Sequence, residues 1–399
     1  MTESRTHPGL ATHPIYLDYN GTTPVDPRVV EAMLPSLTRH FGNPSSSHFY
    51  AHAPRAAIET AREQVASLIA CAPDEIIFTG GGSESDVLAI RGAALALRSR
   101  GNHIITQQTE HPAVRETCRA LERLDGFRVT SLPVDHDGRV NPADLAAAMT
   151  DQTVLVSIML ANNETGTLQP VAELARIAHQ HHVLFHTDAA QAVGKIATHV
   201  STLGVDLLTV AGHKLYAPKG VGALYVRKGV QLQPIIAGGG QESGVRAGTE
   251  NVASLVALGI ACRLAWQELV ESQMRLGSLR DRLHQRLEQR LPEAVHLNGH
   301  PTERLPNTLN VSIDGVSGEE VLAATPGIAA STGSACHAGT TFPSGVLSAM
   351  GMDRIRALGA LRLTLGRWST TDEVEQAASL LAQTVHHLRT ERTSEMGTR

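Results

Sequence analysis

The chain has 399 residues, of which 42% are hydrophobic and 18% are charged, and its formal net charge is −5. This composition is typical of a folded protein with room for one large domain and a smaller one. Because the charge is spread without a block of one sign, the sequence argues against a nucleic-acid or anionic-membrane surface as the main role.

Several features favour a cytoplasmic protein. The first residues, MTESRTHPGLATHP, contain no apolar core of a secretion signal. The most apolar helical stretch, 252–266, is interrupted by Arg263 and is too short to span a bilayer. The cysteines lie far apart with no CxxC pair, so we expect a reducing compartment, no disulfide framework and no metal site. They are Cys71, Cys118, Cys262 and Cys336.

Apolar runs rich in β-branched residues alternate with helical patterns through the first 260 residues. Continuous apolar strands separated by helices predict an α/β fold with a mostly parallel sheet covered on both faces. The predicted strands, seven in number, are 75–79, 103–106, 128–132, 153–160, 183–188, 206–211 and 222–226.

After a long helix over about 252–291, the pattern changes to α+β. We therefore predict a large domain over 15–260 and a smaller one over 261–390, joined by the N-terminal segment 1–14. The smaller domain is predicted to contain strands at 307–313 and 360–366, a Gly- and Ser-rich loop at 331–345, a final helix from Thr371, and a frayed polar tail from 389 onward.

The segment TGGGSES (79–85) follows a predicted strand and opens a helix. Its small residues let backbone N–H groups approach an anion at the positive end of the helix dipole, which favours a phosphate. A plain tight turn before a helix is the alternative.

Asp188 ends one predicted strand, and Lys214 follows the next strand 26 positions later. Ligands of open α/β sheets bind at the carboxyl ends of strands, so one aromatic cofactor could contact both side chains. An acid for a pyridinium nitrogen and a lysine for a Schiff base are the contributions a protein makes to a pyridoxal 5′-phosphate (PLP) site. A capping Asp and a surface Lys are the alternative; the phosphate turn and His213 favour PLP.

Cys336 lies in the polar segment AASTGSACHAGTTFPSG (329–345). Since free cysteines are usually buried, a cysteine in an exposed loop is a candidate nucleophile, with His337 beside it. An incidental thiol is the alternative, and the other three cysteines are predicted core residues.

Two further residues complete the candidate site. His111 follows a strand end, where it could stack on a cofactor or move protons; a structural histidine is the alternative. Arg362, like Arg367 nearby, needs a carboxylate, supplied either by a salt bridge or by an amino-acid substrate. The cluster His179, His181 and His182 is predicted to be a solvated face.

Together these segments resemble the cysteine desulfurases and the related selenocysteine lyases of the class V aminotransferase family. The resemblance runs from YLDYNGTTPVDP (16–27) to ALRLTLGR (360–367), through FTGGGSES, TEHPAV, SIMLANNETG, HTDAAQAVGK, GHKLYAPKG, GGGQESGVRAGTEN and STGSACHAG. It implies a PLP-dependent homodimer of fold type I, with active sites near the subunit interface. The implied reaction converts L-cysteine to L-alanine and passes sulfur to an acceptor protein, either a scaffold or a sulfurtransferase, for iron–sulfur cluster assembly or for thiolation of a cofactor or tRNA. Selenocysteine lyase activity and a non-catalytic binding role are the alternatives.

The resemblance also assigns roles. It implies that Lys214 forms the Schiff base, Asp188 holds the pyridine nitrogen and Cys336 receives sulfur. His111 is implied to stack on the ring and to be catalytic, and Gln191 to hydrogen-bond the phenolate oxygen, with Asn163 beside it as a cofactor and substrate contact. The implied phosphate contacts are Gly82, Ser83 and His213, together with Thr249 supplied by the second subunit. Arg362 is implied to bind the substrate carboxylate. Departures from the family pattern are Ala211 for a serine, Val87 for an asparagine and Gly21 for an alanine.

Overall fold

The predicted strands of the first 260 residues form one sheet. The computed structural model describes residues 7–11, 14–333 and 343–397. In this part of the chain the sheet has seven strands, in the order β2-β8-β7-β6-β5-β3-β4. These strands are β2 (Ile76–Thr79), β3 (His103–Gln107), β4 (Arg128–Leu132), β5 (Thr153–Ser157), β6 (Leu184–Asp188), β7 (Leu207–Ala211) and β8 (Gly222–Val226).

Strands β3 to β7 are linked by parallel pairings, whereas β8 runs antiparallel to both β7 and β2. The predicted mostly parallel α/β sheet is therefore confirmed. The helices of this part are α1 (Pro27–Thr38), α2 (His52–Ile69), α3 (Gly82–Ala96), α4 (Pro112–Asp125), α5 (Pro142–Ala148), α6 (Val171–Gln180) and α7 (Val200–Leu203).

A smaller α+β part follows, also as predicted. Its antiparallel sheet has the order β12-β10-β9, and β1 pairs with β11 in parallel. Its strands are β1 (Ile15–Tyr16), β9 (Val295–Leu297), β10 (Thr308–Ile313), β11 (Ile328–Ala329) and β12 (Ala360–Thr364). Its helices are α8 (Val252–Arg290), α9 (Gly318–Ala323), α10 (Gly345–Ala349), α11 (Arg354–Leu358) and α12 (Thr371–Gly397).

Helix α8 contributes to two hydrophobic cores. Its first half packs under the large sheet through residues such as Leu258 and Cys262, and its second half packs against β10, β12 and α12 through Leu283 and Leu287. By length and composition α8 could cross a membrane, but more than half of its most apolar window is buried inside the protein. That burial is what the central helix of a two-core protein requires. The domain boundaries at 260 and 261 stay a prediction.

The predicted frayed tail is wrong, because α12 continues to Gly397. Arg389 Nε donates to the carbonyl of Asp314 at 3.1 Å, and Arg392 Nη1 donates to the carbonyl of Gly315 at 2.7 Å. Arg392 also pairs with Glu320. The polar composition predicts fraying, whereas these guanidinium groups attach α12 to the loop after β10 and to α9.

Candidate active site

Two adjacent parallel strands bring Asp188 and Lys214 to one edge of the sheet. Asp188 is the last residue of β6 and is buried, opposite Thr209 of β7. Lys214 ends the 3₁₀ turn Gly212–Lys214 that directly follows β7. One Asp188 oxygen accepts a hydrogen bond from the backbone N–H of Ala190 at 2.9 Å. The predicted juxtaposition at neighbouring strand ends is therefore present.

The Lys214 amine is held by backbone carbonyls. Its Nζ donates to the carbonyl oxygens of Asn20 and Gly21, each at 2.6 Å. Burial, followed by the positive charge of Arg362, lowers the pKa of Lys214 to about 8, while Asp18 and Asp188 act in the opposite direction. A minor fraction of the amine, about one-tenth, is consequently neutral near pH 7, and it is the neutral form that acts as a nucleophile or a base.

His111 closes the cleft from the start of α4. It is the N-cap of that helix, and its Nδ1 accepts from the N–H of Ala113 at 3.2 Å. A ring nitrogen of His111 and carboxylate oxygens of Asp86 and Asp188 lie within 4.8 Å of one another. Partial desolvation lowers the pKa of His111, with Lys214 adding to the effect. The imidazole is therefore neutral, which suits a ring that stacks on an aromatic group.

A cradle for an anion lies at the start of α3. The N-cap residue, Gly81, has a φ of 143° and no side chain that could cap the helix. A Cβ on Gly82 would lie 3.1 Å from the Cβ of Ala211, so the turn packs closely on β7. Ser83 is exposed in the first helical turn. Uncapped N–H groups beside small residues are the arrangement that binds phosphate.

His213 lies next to the Lys214 amine. Burial and the positive charge of Lys214 lower the pKa of His213 to about 4, so the ring is neutral. Its Nδ1 lies 3.1 Å from Oγ1 of Thr22. A neutral ring held by this contact can donate one hydrogen bond to an anion without adding a charge.

Sequence reasoning missed the groups that orient Gln191. Lys195 Nζ donates to Oε1 of Gln191 at 2.8 Å, and Nε2 of Gln191 donates to the carbonyl of Asn20 at 3.0 Å. Because its amide oxygen is occupied and one hydrogen of Nε2 is donated to Asn20, Gln191 has one N–H left to donate to a phenolate oxygen. Lys195 is the last residue of the quoted segment HTDAAQAVGK, and that segment is the sequence feature from which its contact with Gln191 could have been predicted.

Arg362 lies in β12 with its side chain almost fully buried. Its Nη2 lies 2.7 Å from Oδ1 of Asp18, and its Nη1 donates to the carbonyl of Asn163 at 3.4 Å. Within the described residues, its buried Nε has no partner. The salt bridge that the sequence left open is present, and unused N–H groups remain for a substrate carboxylate.

Other predicted residues are placed as follows. Thr249 is exposed in the loop before α8, while Cys336 and His337 lie outside the described residues. Cys118 and Cys262 are buried and Cys71 is partly buried; burial raises the pKa of each of these thiols to about 12. The predicted solvated face at 179–182 is wrong for His179, whose Nε2 lies 2.9 Å from the buried Asp206 carboxylate.

The described site fits PLP. An amine of lowered pKa, a buried carboxylate and an uncapped helix start are grouped at one sheet edge. Among the described residues, Asp86, His111 and Asp188 form a group with the composition of a metal site. The same residues provide a pyridine cofactor with an acid and a neutral ring. Lys214 lies beside them, and a lysine is required by PLP but not by a metal ion, so the group as a whole fits PLP.

Comparison with known proteins agrees with this chemistry. The model of the family "Aminotransferase class-V" matches residues 15–377. A "Cysteine desulfurase IscS" of Dictyoglomus turgidum is 48% identical over 94% of this chain and 95% of its own length. A "Cysteine desulfurase" of Homo sapiens is 46% identical over 96% of this chain and 84% of its own length.

Solved structures give the same result. One titled "NIFS-LIKE PROTEIN" has a TM-score of 0.88 at 37% identity, covering 94% of this chain and 100% of its own. Another, "SspA in complex with cysteine", has a TM-score of 0.78 at 36% identity, covering 88% of this chain and 98% of its own.

The chain belongs to the class V aminotransferase family. It is a PLP-dependent cysteine desulfurase, and the selenocysteine lyase alternative is not favoured by these relatives.

Proposed function

We propose that this desulfurase converts L-cysteine to L-alanine by way of a persulfide on Cys336, from which the sulfur passes to an acceptor protein. The observation that carries the proposal is the placement of Lys214, Asp188 and His111 at one sheet edge, with the Lys214 pKa lowered to about 8. A partly neutral amine beside a buried acid is the pair of groups that removal of a Cα proton requires.

The residues of the site have separate roles in the proposed reaction. Bound PLP supplies an electron sink for the carbanion that forms at the substrate Cα. Asp188 would hold the pyridine nitrogen, and His111 would cover the ring. The start of α3, with Gly82 and Ser83, would hold the phosphate, as would His213. The Nζ of Lys214 accepts the Cα proton and returns a proton to the product.

Arg362 is the proposed clamp for the substrate carboxylate. Its guanidinium is buried and acts on the pKa of Lys214; within the described residues its Nε has no partner, and its Nη2 contacts Asp18. Planar guanidinium groups bind carboxylates through two parallel N–H donors, which fixes the orientation of the amino acid. The backbone of Asn163 accepts from the same guanidinium and limits its movement.

Cys336 is the proposed sulfur acceptor within the chain. Its thiolate forms a bond to the substrate sulfur as the Cβ–S bond breaks; the electron pair of that bond stays with the carbon skeleton, which gains a proton to become alanine. The described cysteines support this assignment, since burial raises the pKa of the thiols of Cys71, Cys118 and Cys262 to about 12. Thiols of that pKa are poor nucleophiles at neutral pH.

The proposed assembly is a homodimer that works in the cytoplasm. An apolar face, which we call the α1 face, is formed by Leu34, Leu37, Phe41 and Tyr50, which are 47 to 74% exposed. The rings of Phe41 and Tyr50 stack at 5.4 Å. An exposed patch of this kind is a common mark of a subunit interface. A second copy is the proposed occupant, since the resemblance implies a homodimer in which Thr249, an exposed residue, contacts the phosphate bound by the other subunit.

Borohydride reduction of the PLP-loaded protein, followed by peptide mapping, tests the site directly. We expect the reduced cofactor on Lys214, and we expect Lys214→Met to remove the label while Lys195→Met keeps it. Lys195 is a matched control because its amine is also partly buried and lies within the same network. A label on Lys195 would overturn the assignment.

A further inference from the structure

Asp86 is a second buried carboxyl next to Asp188, and the sequence analysis gave it no role. It lies on α3, one turn beyond the phosphate cradle, and is 2% exposed. One of its oxygens lies within 4.8 Å of a carboxylate oxygen of Asp188. Within the described part of the chain, its Oδ1 has no hydrogen-bond partner.

A chain of buried polar groups leads to Asp86. Oγ of Ser157 lies 2.9 Å from Nδ1 of His186, and Nε2 of His186 lies 3.1 Å from Oγ1 of Thr209. The same Nε2 lies 3.8 Å from Oδ1 of Asp86, and Thr209 acts to lower the pKa of Asp86, against the larger effect of burial. Burial lowers the pKa of His186 to about 3, so the ring is neutral and donates one hydrogen bond. This series of contacts fixes the position of the Asp86 carboxyl.

The groups that face Asp86 do not carry enough positive charge to neutralise both Asp86 and Asp188 as carboxylates. Asp188 and Glu110 face it as carboxyls, and His186 and His111 face it as rings whose pKa is lowered by burial. Burial raises the pKa of Asp188 as well, but Asp188 has the better anion site of the two carboxyls, because it accepts the N–H of Ala190 and the charge of Lys214 acts to lower its pKa. Two carboxyls this close in a buried site cannot both ionise without a large cost.

We propose that Asp86 is a positioning residue for Asp188. Asp86 stays protonated, so that Asp188 is the ionised carboxyl of the pair and is held in position to bind the pyridine nitrogen. This inference rests on the proposed role of Asp188. Burial, with the neighbouring Asp188 charge, raises the pKa of Asp86 well above its usual value, in agreement with the geometry.

Stability of the apoprotein tests the protonation state without any cofactor. An acid that is neutral when folded and ionised when unfolded releases its proton on unfolding, so stability falls as pH rises above its unfolded pKa. This contribution of Asp86 to the pH dependence of stability should be present between about pH 5 and 7, so we expect the slopes of wild type and Asp86→Asn, measured by urea unfolding, to differ by up to about one proton in that range. An unchanged slope in Asp86→Asn would overturn the proposal.

Affinity for PLP tests the positioning role. We expect Asp86→Ala to bind PLP at least about fivefold more weakly, and Asp86→Asn, which cannot ionise, to recover most of that loss. Asp188→Asn should lose about tenfold or more. If Asp86→Asn is as weak as Asp188→Asn, a charged Asp86 is required and the proposal fails. If Asp188→Asn binds PLP like the wild type, the proposed role of Asp188 fails instead, whatever the apoprotein slope shows.

The wild type alone provides a measurement that needs no variant to fold. Infrared spectra of the apoprotein with ¹³C-labelled aspartate should contain the carbonyl stretch of a protonated aspartic acid at pH 7. Its absence would contradict a neutral Asp86 directly.

Discussion

Arg362 and Asp18 form an ion pair across the cleft, with 2.7 Å between Nη2 and Oδ1. They are separated by 344 residues in the chain, and Arg362 is almost fully buried. Gly21 leaves room for this contact, since a Cβ at that position would lie 2.4 Å from Oδ2 of Asp18. The proposed clamp for the substrate therefore already contacts one carboxylate of the protein, and both partners influence the Lys214 amine.

The two partners shift the pKa of Lys214 in opposite directions. Asp18 raises it and Arg362 lowers it, around a value of about 8. We expect Asp18→Asn to lower the pKa of Lys214, because a nearby negative charge that stabilises the ammonium is lost. Arg362→Gln should raise it. The pH dependence of the rate at which apoprotein captures PLP measures the neutral amine in each variant.

A matched control for this pair is Glu116→Gln, an exposed charge on α4 that is not among the groups influencing the Lys214 pKa. Its capture profile should superimpose on that of the wild type. Shifts of the same sign in Asp18→Asn and Arg362→Gln would contradict the electrostatic account.

Two glycines of helix α8 should respond oppositely to alanine. A Cβ on Gly277 would contact nothing within 4 Å, so Gly277→Ala should stabilise the protein by about 0.5–1 kcal/mol through helix propensity. A Cβ on Gly259 would lie 2.7 Å from Cα of Ala61 on α2, so Gly259→Ala should destabilise it by about 1–3 kcal/mol. Urea unfolding at fixed protein concentration measures both. A stabilising Gly259→Ala would show that α2 and α8 pack less closely than described.

The α1 face should control association. Leu37 is 60% exposed, and we expect Leu37→Asp to shift the protein from dimer to monomer, because a carboxylate would be buried unpaired at the interface. Light scattering coupled to size exclusion measures the mass in solution. Leu124→Asp is the matched control, since Leu124 is 66% exposed on α4, outside the α1 face. Dimers in Leu37→Asp, or monomers in the wild type, would contradict the proposed interface.

The sequence predicted the sheet well because its strands are continuous apolar runs, and β7, predicted as 206–211, is Leu207–Ala211. Because ligands of open α/β sheets lie at the carboxyl ends of strands, the sequence predicted that Asp188 and Lys214 share one site. The end of β5 was less accurate: the apolar run extends to 160, but the strand ends at Ser157. Beyond it, Ile158 and Leu160 are buried, and their backbone N–H groups still donate to the carbonyls of His186 and Asp188 of β6.

What sequence reasoning missed depends on contacts between distant segments. Asp18 meets Arg362 only because the segment after β1 pairs with β12 through Asp18 and Thr364, and Asp86 meets Asp188 only because α3 packs on the sheet. The prediction of a frayed C-terminal tail was wrong for the same reason, since Arg392 pairs with the distant residue Glu320 on α9. Local composition cannot report such partners, whereas motif positions such as Lys214 could be predicted.

The central claim is that sulfur leaves cysteine through a persulfide on Cys336. The most direct test is to mix the PLP-loaded protein with L-cysteine, block persulfides with an alkylating reagent and locate the label by peptide mass spectrometry. We predict a persulfide on Cys336 with alanine formed alongside, none on the buried Cys118 or Cys262, and no alanine turnover in Cys336→Ser. Alanine formed at the parental rate by Cys336→Ser, or a persulfide on another cysteine, would contradict the account.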